Sequence, residues 1–281
     1  MKTTLGDKHM IQIITDSSTL YKPEEAKALG FESVPLCVNI GDFEGRDLLI
    51  DMDDYYDRIR KGGIPKSSQP PIGDVYEMYE KYQDAEIINI SMADGLSGTY
   101  QSACSAKEML EDSSRVTVVN SKTLCGPHRY MVEKAQEMKE KGKSAKEILD
   151  WLEDIKEKTE SFLIPQDFDF LRRGGRLTPM AAKFASVLNL RAIMTQTPDG
   201  CRLDKFGMKR SMKLAMKAVV DHLEEVKVDA RHIVYVSHAR AEEDAKKAVA
   251  MIKERLADVE VELLELGAAF VTQGGPQCVA I

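Results

Sequence analysis

The chain has 281 residues, 43% of them apolar and 30% charged, and a formal net charge of −7. That length allows two domains, and an acidic balance without a basic stripe excludes nucleic acid as the expected partner. No stretch reaches the roughly 18 apolar residues of a membrane span, the start does not read as a signal peptide, and five cysteines (Cys37, Cys104, Cys125, Cys201, Cys278) without CxxC spacing suit reduced thiols in a cytoplasm rather than a disulfide scaffold or a zinc site.

Strand and helix signals alternate along the chain, which predicts α/β layers. Ile11–Thr15 reads as a first strand ending in Asp16-Ser17-Ser18, where Ser18 or Thr19 caps a short helix over Pro23–Leu29. Phe31–Ile40 reads as a strand, Gly41–Gly45 as a turn and Met52–Lys61 as a helix. Lys61-Gly-Gly-Ile-Pro65 is a turn-rich break before Ser67-Ser68-Gln69-Pro70-Pro71, which opens a helix burying Ile72, Val75, Tyr76, Tyr79 and Tyr82. Glu86–Ser91 has the β-branched apolar run of a buried strand, and Met92–Leu96 breaks it. Ser97-Gly98-Thr99 then opens a helix whose inner face reads Ala103, Ala106 and Leu110.

Arg115–Val119 is the next strand, followed by Asn120-Ser121, a helix from about Leu124 to Lys141, and a Ser144-capped helix carrying the single tryptophan, Trp151. The register changes near Lys158-Thr159. Beyond it Phe162–Ile164 and Arg191–Gln196 read as strands, with a Pro198-Asp199-Gly200 turn leading to Cys201-Arg-Leu203. Phe170–Pro179 reads as an Arg-rich turn around Gly174-Gly175, with Thr178-Pro179 starting a helix over Met180–Leu188. One further helix buries Met212, Ala215, Met216, Val219 and Leu223. His232–Ser237 is a strand, and the helix after it buries Ala245, Ala248, Val249, Ile252 and Leu256.

Two hydroxyl-bearing starts, Ser67-Ser68 and Ser97-Gly98-Thr99, stand about thirty residues apart and are expected at one edge of the same sheet. A serine there caps a helix by accepting a free backbone N–H. The same N–H groups and the helix dipole attract an anion, and ligands collect at the carboxyl ends of strands in α/β sheets. Both readings stand on these residues alone. Arg172, Arg173 and Arg176 around two glycines suit either a phosphate-binding loop or a solvated turn.

Taken in order, Thr15-Asp16-Ser17-Ser18, Ser67-Ser68-Gln69-Pro70, Ser91-Met-Ala-Asp-Gly-Leu-Ser97-Gly98-Thr99 and Leu171-Arg-Arg-Gly-Gly-Arg176 resemble the DegV family. Gly274-Gly275-Pro276 falls where that family has a His-x-Gly-Pro-Gly-like segment, so the likeness spans essentially the whole chain. The register change places a domain boundary near residue 158, and with it the resemblance implies a Rossmann-like layered α/β domain over 1–158, a second α/β domain over 159–281, and a ligand tunnel between them. It implies one long-chain fatty acid, presented to a separate fatty-acid kinase that phosphorylates the carboxylate. Carried over by position, Ser67 or Ser68 and Ser97 hold the carboxylate and Gly98 and Thr99 complete the loop. Gln273 stands beside them where the family commonly has histidine. Leu190-Arg191-Ala192 and Asn120-Ser121 also depart from the usual Leu-Lys-Pro and Asp-Ser or Asp-Thr.

The main expectation is therefore a lipid-carrying protein, non-catalytic by itself and needing no cofactor, with Arg172, Arg173 and Arg176 as the docking surface for the kinase. The sequence has no GxxxxGK[ST] loop and no kinase signature set. The 14 methionines suit a deformable acyl lining but also ordinary core filling. The alternative is a hydrolase or phosphotransferase acting on a small anionic substrate with Ser97 as nucleophile. No Gly-x-Ser-x-Gly elbow surrounds Ser97, and of His9, His128, His222, His232 and His238 only His238 follows a strand at a ligand-facing edge.

Overall fold

The first apolar run forms strand β1, Met10–Asp16, in a computed structural model that describes residues 10–183 and 190–281. His9 and the later part of the expected Met180–Leu188 helix lie outside the described residues. After β1 a single 3₁₀ turn over Ser17–Thr19 is held by the Asp16 carboxylate, which accepts from Ser18 N at 2.9 Å. Helix α1, Pro23–Ala28, is not capped by Ser18 or Thr19. It starts at Lys22, whose N–H donates to the Glu25 carboxylate at 2.9 Å.

The expected strand over Phe31–Ile40 is two strands, β2 (Glu32–Val34) and β3 (Cys37–Ile40), in different sheets. Pro35 separates them, having no N–H to donate to a ladder. A tight turn at Gly41 (φ +58°) returns the chain as β4, Phe43–Arg46, so Phe43 to Gly45 belong to a hairpin strand rather than to the turn. Helix α2, Met52–Arg60, begins at Asp51, whose side chain accepts from Asp53 N and Asp54 N. Ser67 and Ser68 then lie on strand β5, Lys66–Ser68, paired antiparallel with β3. They are therefore not at a helix start on the main sheet. Helix α3, Ile72–Lys81, buries Val75 and Tyr79 but leaves Ile72 exposed, and it ends before Tyr82.

Strand β6 (Ala85–Ser91), helix α4 (Thr99–Glu108), strand β7 (Val116–Asn120), helix α5 (Cys125–Glu140) and helix α6 (Ala145–Lys156) complete the first half. The order β2-β1-β6-β7 is parallel throughout. Because side chains alternate along a strand, Ile13 and Ile88 meet α5 and α6, while Ile14 and Ile87 meet α3 and α4. Both faces are covered, and the carboxyl ends of the strands are left for a site.

The second half contains β8 (Phe162–Ile164), α7 (Phe168–Gly174), α8 (Pro179–Ala182), β9 (Arg191–Gln196), β10 (Leu203–Lys209), α9 (Met212–Glu225), β11 (Ile233–His238), α10 (Glu242–Arg255), β12 (Glu260–Glu265), α11 (Ala268–Gly274) and β13 (Val279–Ala280). The expected Arg-rich turn is the helix α7, which ends where Gly175 takes φ +71°. Six strands run in the order β10-β9-β8-β13-β11-β12, and only β11 and β12 pair in parallel. Helices α9 and α10 cover one face over Phe162, Ile164, Ile193, Val234 and Val236. The small sheet β4-β3-β5 packs with α11, joining Val38, Tyr55 and Tyr56 to Leu266, Ala268 and Val271 in one apolar cluster. That cluster ties the two halves together.

Candidate functional site

The face of the six-stranded sheet opposite α9 and α10 meets the strand ends of the first half around a cavity with about 140 Å³ of room for the centres of water molecules, some ten times the roughly 10–15 Å³ that one water needs. Leu163, Met194, Leu203, Phe270, Leu36 and Met92 are among the side chains that make its walls mostly apolar. Among the described residues Arg176 is the one charged side chain on the lining, and no Asp or Glu side chain borders it.

The polar end is assembled from four elements. Strand β5 supplies Ser67 and Ser68, the turn after β6 supplies Ser97 and Gly98, α11 supplies Gln273, and the segment after α7 supplies Arg176. Gln273 Nε2 donates to Ser67 Oγ at 3.2 Å, while Gln273 Oε1 is buried without a hydrogen-bond partner. Gly174 makes room for that amide, since a Cβ there would lie 2.0 Å from Oε1. Ser97 Oγ lies 2.8 Å from Thr99 Oγ1 and accepts from Thr99 N at 3.3 Å. Thr99 is buried behind this contact and is not on the lining. Ser97 is thus partly a cap and also borders the cavity, so the two readings of that serine coexist. Arg176 donates through Nε to Leu96 O at 3.0 Å and through a second nitrogen to Gly174 O. It stands in the wall, apart from the exposed Arg172 and Arg173. Arg172 pairs with Asp169 at 3.0 Å, and the Arg173 guanidinium sits over the Phe170 ring.

Two buried groups that sequence reasoning did not place at the site support it. Asp47, fully buried, accepts hydrogen bonds from Ser17 Oγ at 2.7 Å and from Ala269 N at 3.1 Å, fixing the start of α11 and hence Gln273. Burial pushes its carboxyl up to about 6, against the pull of those donors. His128, also fully buried, has Nε2 2.9 Å from Ile90 O and Nδ1 2.6 Å from Ser18 Oγ. A carbonyl can only accept, so Nε2 carries the proton and Nδ1 accepts from Ser18. Burial pushes this imidazole below its ordinary value, opposed by the neighbouring Asp16. Asp47 gave no sequence signal beyond an acidic residue after a short strand.

Among the described residues no hydrogen bond joins Ser97 to a histidine, and His238, at the end of β11, is buried with Nδ1 unpartnered. Among the described residues no group of His, Cys, Asp or Glu is placed to hold a metal, and no helix is long and apolar enough to cross a membrane.

Against known proteins, a family model described as "Uncharacterised protein, DegV family" matches residues 10–281. The DegV domain-containing protein YejH of Lactococcus lactis is 30% identical over 276 residues, covering 96% of this chain and 98% of its own. A solved structure reporting fatty acid binding of a DegV family protein from Thermus thermophilus superposes with a TM-score of 0.86 at 26% identity, covering 96% of this chain and 98% of that one. A DegV family protein from Ruminococcus gnavus, refined with vaccenic acid, gives the same TM-score of 0.86, also at 26% identity and with the same coverage.

Proposed function

This chain belongs to the DegV family, and on that premise we propose that it binds one long-chain fatty acid and presents the carboxylate to a separate kinase. The observation that carries the reading is the cavity itself, with largely apolar walls and with Ser67, Ser68, Ser97 and Gln273 on its lining, Gln273 bonded to Ser67. The solved relatives described with bound fatty acid support it.

The energetics suit that division of labour. A tail of about 15 methylenes carries roughly 12 kcal/mol of transfer free energy at about 0.8 per CH₂. The headgroup contacts then need only to orient the acid, at about 1.5–3 kcal/mol for each hydrogen bond to a charged group. Ser67, Ser68, Ser97 and Gln273 are the donors in this reading, with Gly98 allowing close approach. Arg176 supplies the only positive side-chain charge on the lining among the described residues, and with two of its N–H groups already on carbonyls it is not free to clamp both carboxylate oxygens. An oxygen left unclamped can attack a phosphoryl donor. The sequence carries no P-loop, so the phosphoryl donor belongs to the partner in this reading. Arg172 and Arg173, exposed near the same end, are the proposed docking charges, and the division between domains is placed near residue 158.

The test is organic extraction of the purified protein followed by mass spectrometry. One equivalent of a long-chain acid per chain is expected after expression in lipid-replete cells. A lipid-free extract, together with no uptake of added fatty acid, overturns the proposal.

A further inference from the structure

Ser18 and His128 form a pair that the carrier role leaves unused. Strand β1 ends at Asp16, and β6 ends beside it in parallel register, Thr15 opposite Ile90. One Asp16 carboxylate oxygen accepts from Ser18 N and the other from Met92 N, each at 2.9 Å. Ser97 N donates in turn to Ala93 O, the residue after Met92, at 3.3 Å. Ser18 and the Ser97 turn therefore stand together at the carboxyl ends of two neighbouring strands, and both border the cavity.

His128 is anchored from behind. Its Nε2 proton goes to Ile90 O at 2.9 Å, which leaves the Nδ1 lone pair to Ser18 Oγ, 2.6 Å away. Burial pushes the imidazole below its ordinary value, so at neutral pH it is free to take a proton, and the Asp16 carboxylate favours the imidazolium once formed. A hydroxyl held on an imidazole whose other nitrogen is fixed by an acceptor is an activated nucleophile. His128 also lies in the first turn of α5, a 16-residue helix that no side chain caps, and Cys125 and Gly126 of that turn border the cavity. Open N–H groups at a helix start favour the negative charge that develops on a carbonyl oxygen under attack.

We infer that the cavity also takes long-chain acyl esters and that Ser18 hydrolyses them with His128 as its base. Ser18 Oγ bonds to the ester carbonyl carbon while its proton passes to His128 Nδ1. The bond from that carbon to the alcohol oxygen breaks, and the alcohol leaves with the proton. Water then attacks acyl-Ser18 and gives a proton to Nδ1, which returns it to Ser18 as the acid is released. The product is the fatty acid of the reading above, on which this inference rests, so the site makes the cargo that it then holds.

The experiment treats delipidated protein with a hexadecyl fluorophosphonate, whose fluoride an activated serine displaces, and maps the adduct by mass spectrometry. Turnover is followed with p-nitrophenyl stearate, and uptake with stearic acid. The adduct is expected on Ser18, and hydrolysis should fall roughly a hundredfold or more in Ser18→Ala while stearic acid is still taken up. The adduct site is read on the wild-type chain, so it decides the matter even where the variant does not fold. A wild-type protein that takes up stearic acid but shows neither adduct nor turnover overturns the inference and leaves the fatty-acid reading standing. An adduct on Ser97 instead, or turnover that persists in Ser18→Ala, also overturns it. If the wild-type protein takes up no stearic acid either, the fatty-acid reading fails as well.

Discussion

Replacing Asp47 by asparagine should make the protein more stable at neutral pH and remove a specific part of its pH dependence. Asp47 is fully buried, and its carboxyl is pushed up from 3.8 to about 6. The folded state therefore holds this proton more tightly than the unfolded chain does. Below about pH 4 the group is protonated in both states and carries no penalty. As pH rises through about 6 the folded state must bury a charge, and the contribution is lost. Moving the ionisation from 3.8 to about 6 corresponds to ~3 kcal/mol. Asparagine keeps an acceptor for the Ala269 N–H but places an amide N–H₂ where Ser17 donates, at a cost of about 1–2 kcal/mol. Urea unfolding followed by Trp151 fluorescence, at intervals from pH 4 to 7.5, gives the difference between variant and wild type. That difference should swing by ~3 kcal/mol in favour of Asp47→Asn as pH rises. The carboxylates held low by exposed lysine partners, such as Glu137, are common to both proteins and cancel. A difference that stays flat across this range, or swings the other way, refutes the argument.

Ser67→Ala combined with Ser97→Ala should weaken fatty-acid binding by about tenfold or more per hydroxyl with unchanged circular dichroism, whereas full retention of lipid would leave the serines with structural roles only. Arg173→Ala should slow phosphoryl transfer by the cognate kinase at low salt and less so at high salt while lipid stays bound; equal rates at both salts remove this residue from the interface. Gly126→Ala should destabilise the fold by roughly 2 kcal/mol or more in urea unfolding, since the added Cβ would lie 2.3 Å from the Tyr235 ring. Ser144→Ala should cost about 1 kcal/mol, because its hydroxyl accepts from Glu147 N at the start of α6, and a silent substitution would show that α6 is held by packing alone.

What could be read in the sequence was what a local pattern determines. Glu86–Ser91 announces a buried strand by its apolar run, and Ser144-x-x-Glu147 announces a helix start by reciprocal capping. The Ser67-Ser68 strand was not legible, because β5 is three polar-to-basic residues long and exists only through its pairing with β3. Strand β12 hid behind its glutamates, although Val261, Leu263 and the flanking acids alternate as an edge strand does. Helix α11 escaped notice because Ala268–Gly274 is short and rich in small residues, and its start is fixed by a carboxylate more than two hundred residues away in sequence. The site was half visible for the same reason. Hydroxyls next to glycines stand out, but nothing local reveals that Ser18 donates a hydrogen bond to His128 or that Arg176 turns into the cavity wall rather than toward solvent.

The position of β13 has a consequence for how the chain is made. This two-residue strand sits between β8 and β11, bonded to one through Ala280 and Leu163 and to the other through Ser237 and Ala280. During synthesis β8, β9 and β10 emerge long before it, as do β11 and β12, yet the two groups have no direct ladder to each other. The floor of the cavity therefore cannot close until residue 280 has left the ribosome. Until then the nascent second half presents two open strand edges of the kind that recruit other chains. Strand β13 is the keystone of the sheet, and nascent chains arrested short of it should associate with chaperones far more than chains that include it.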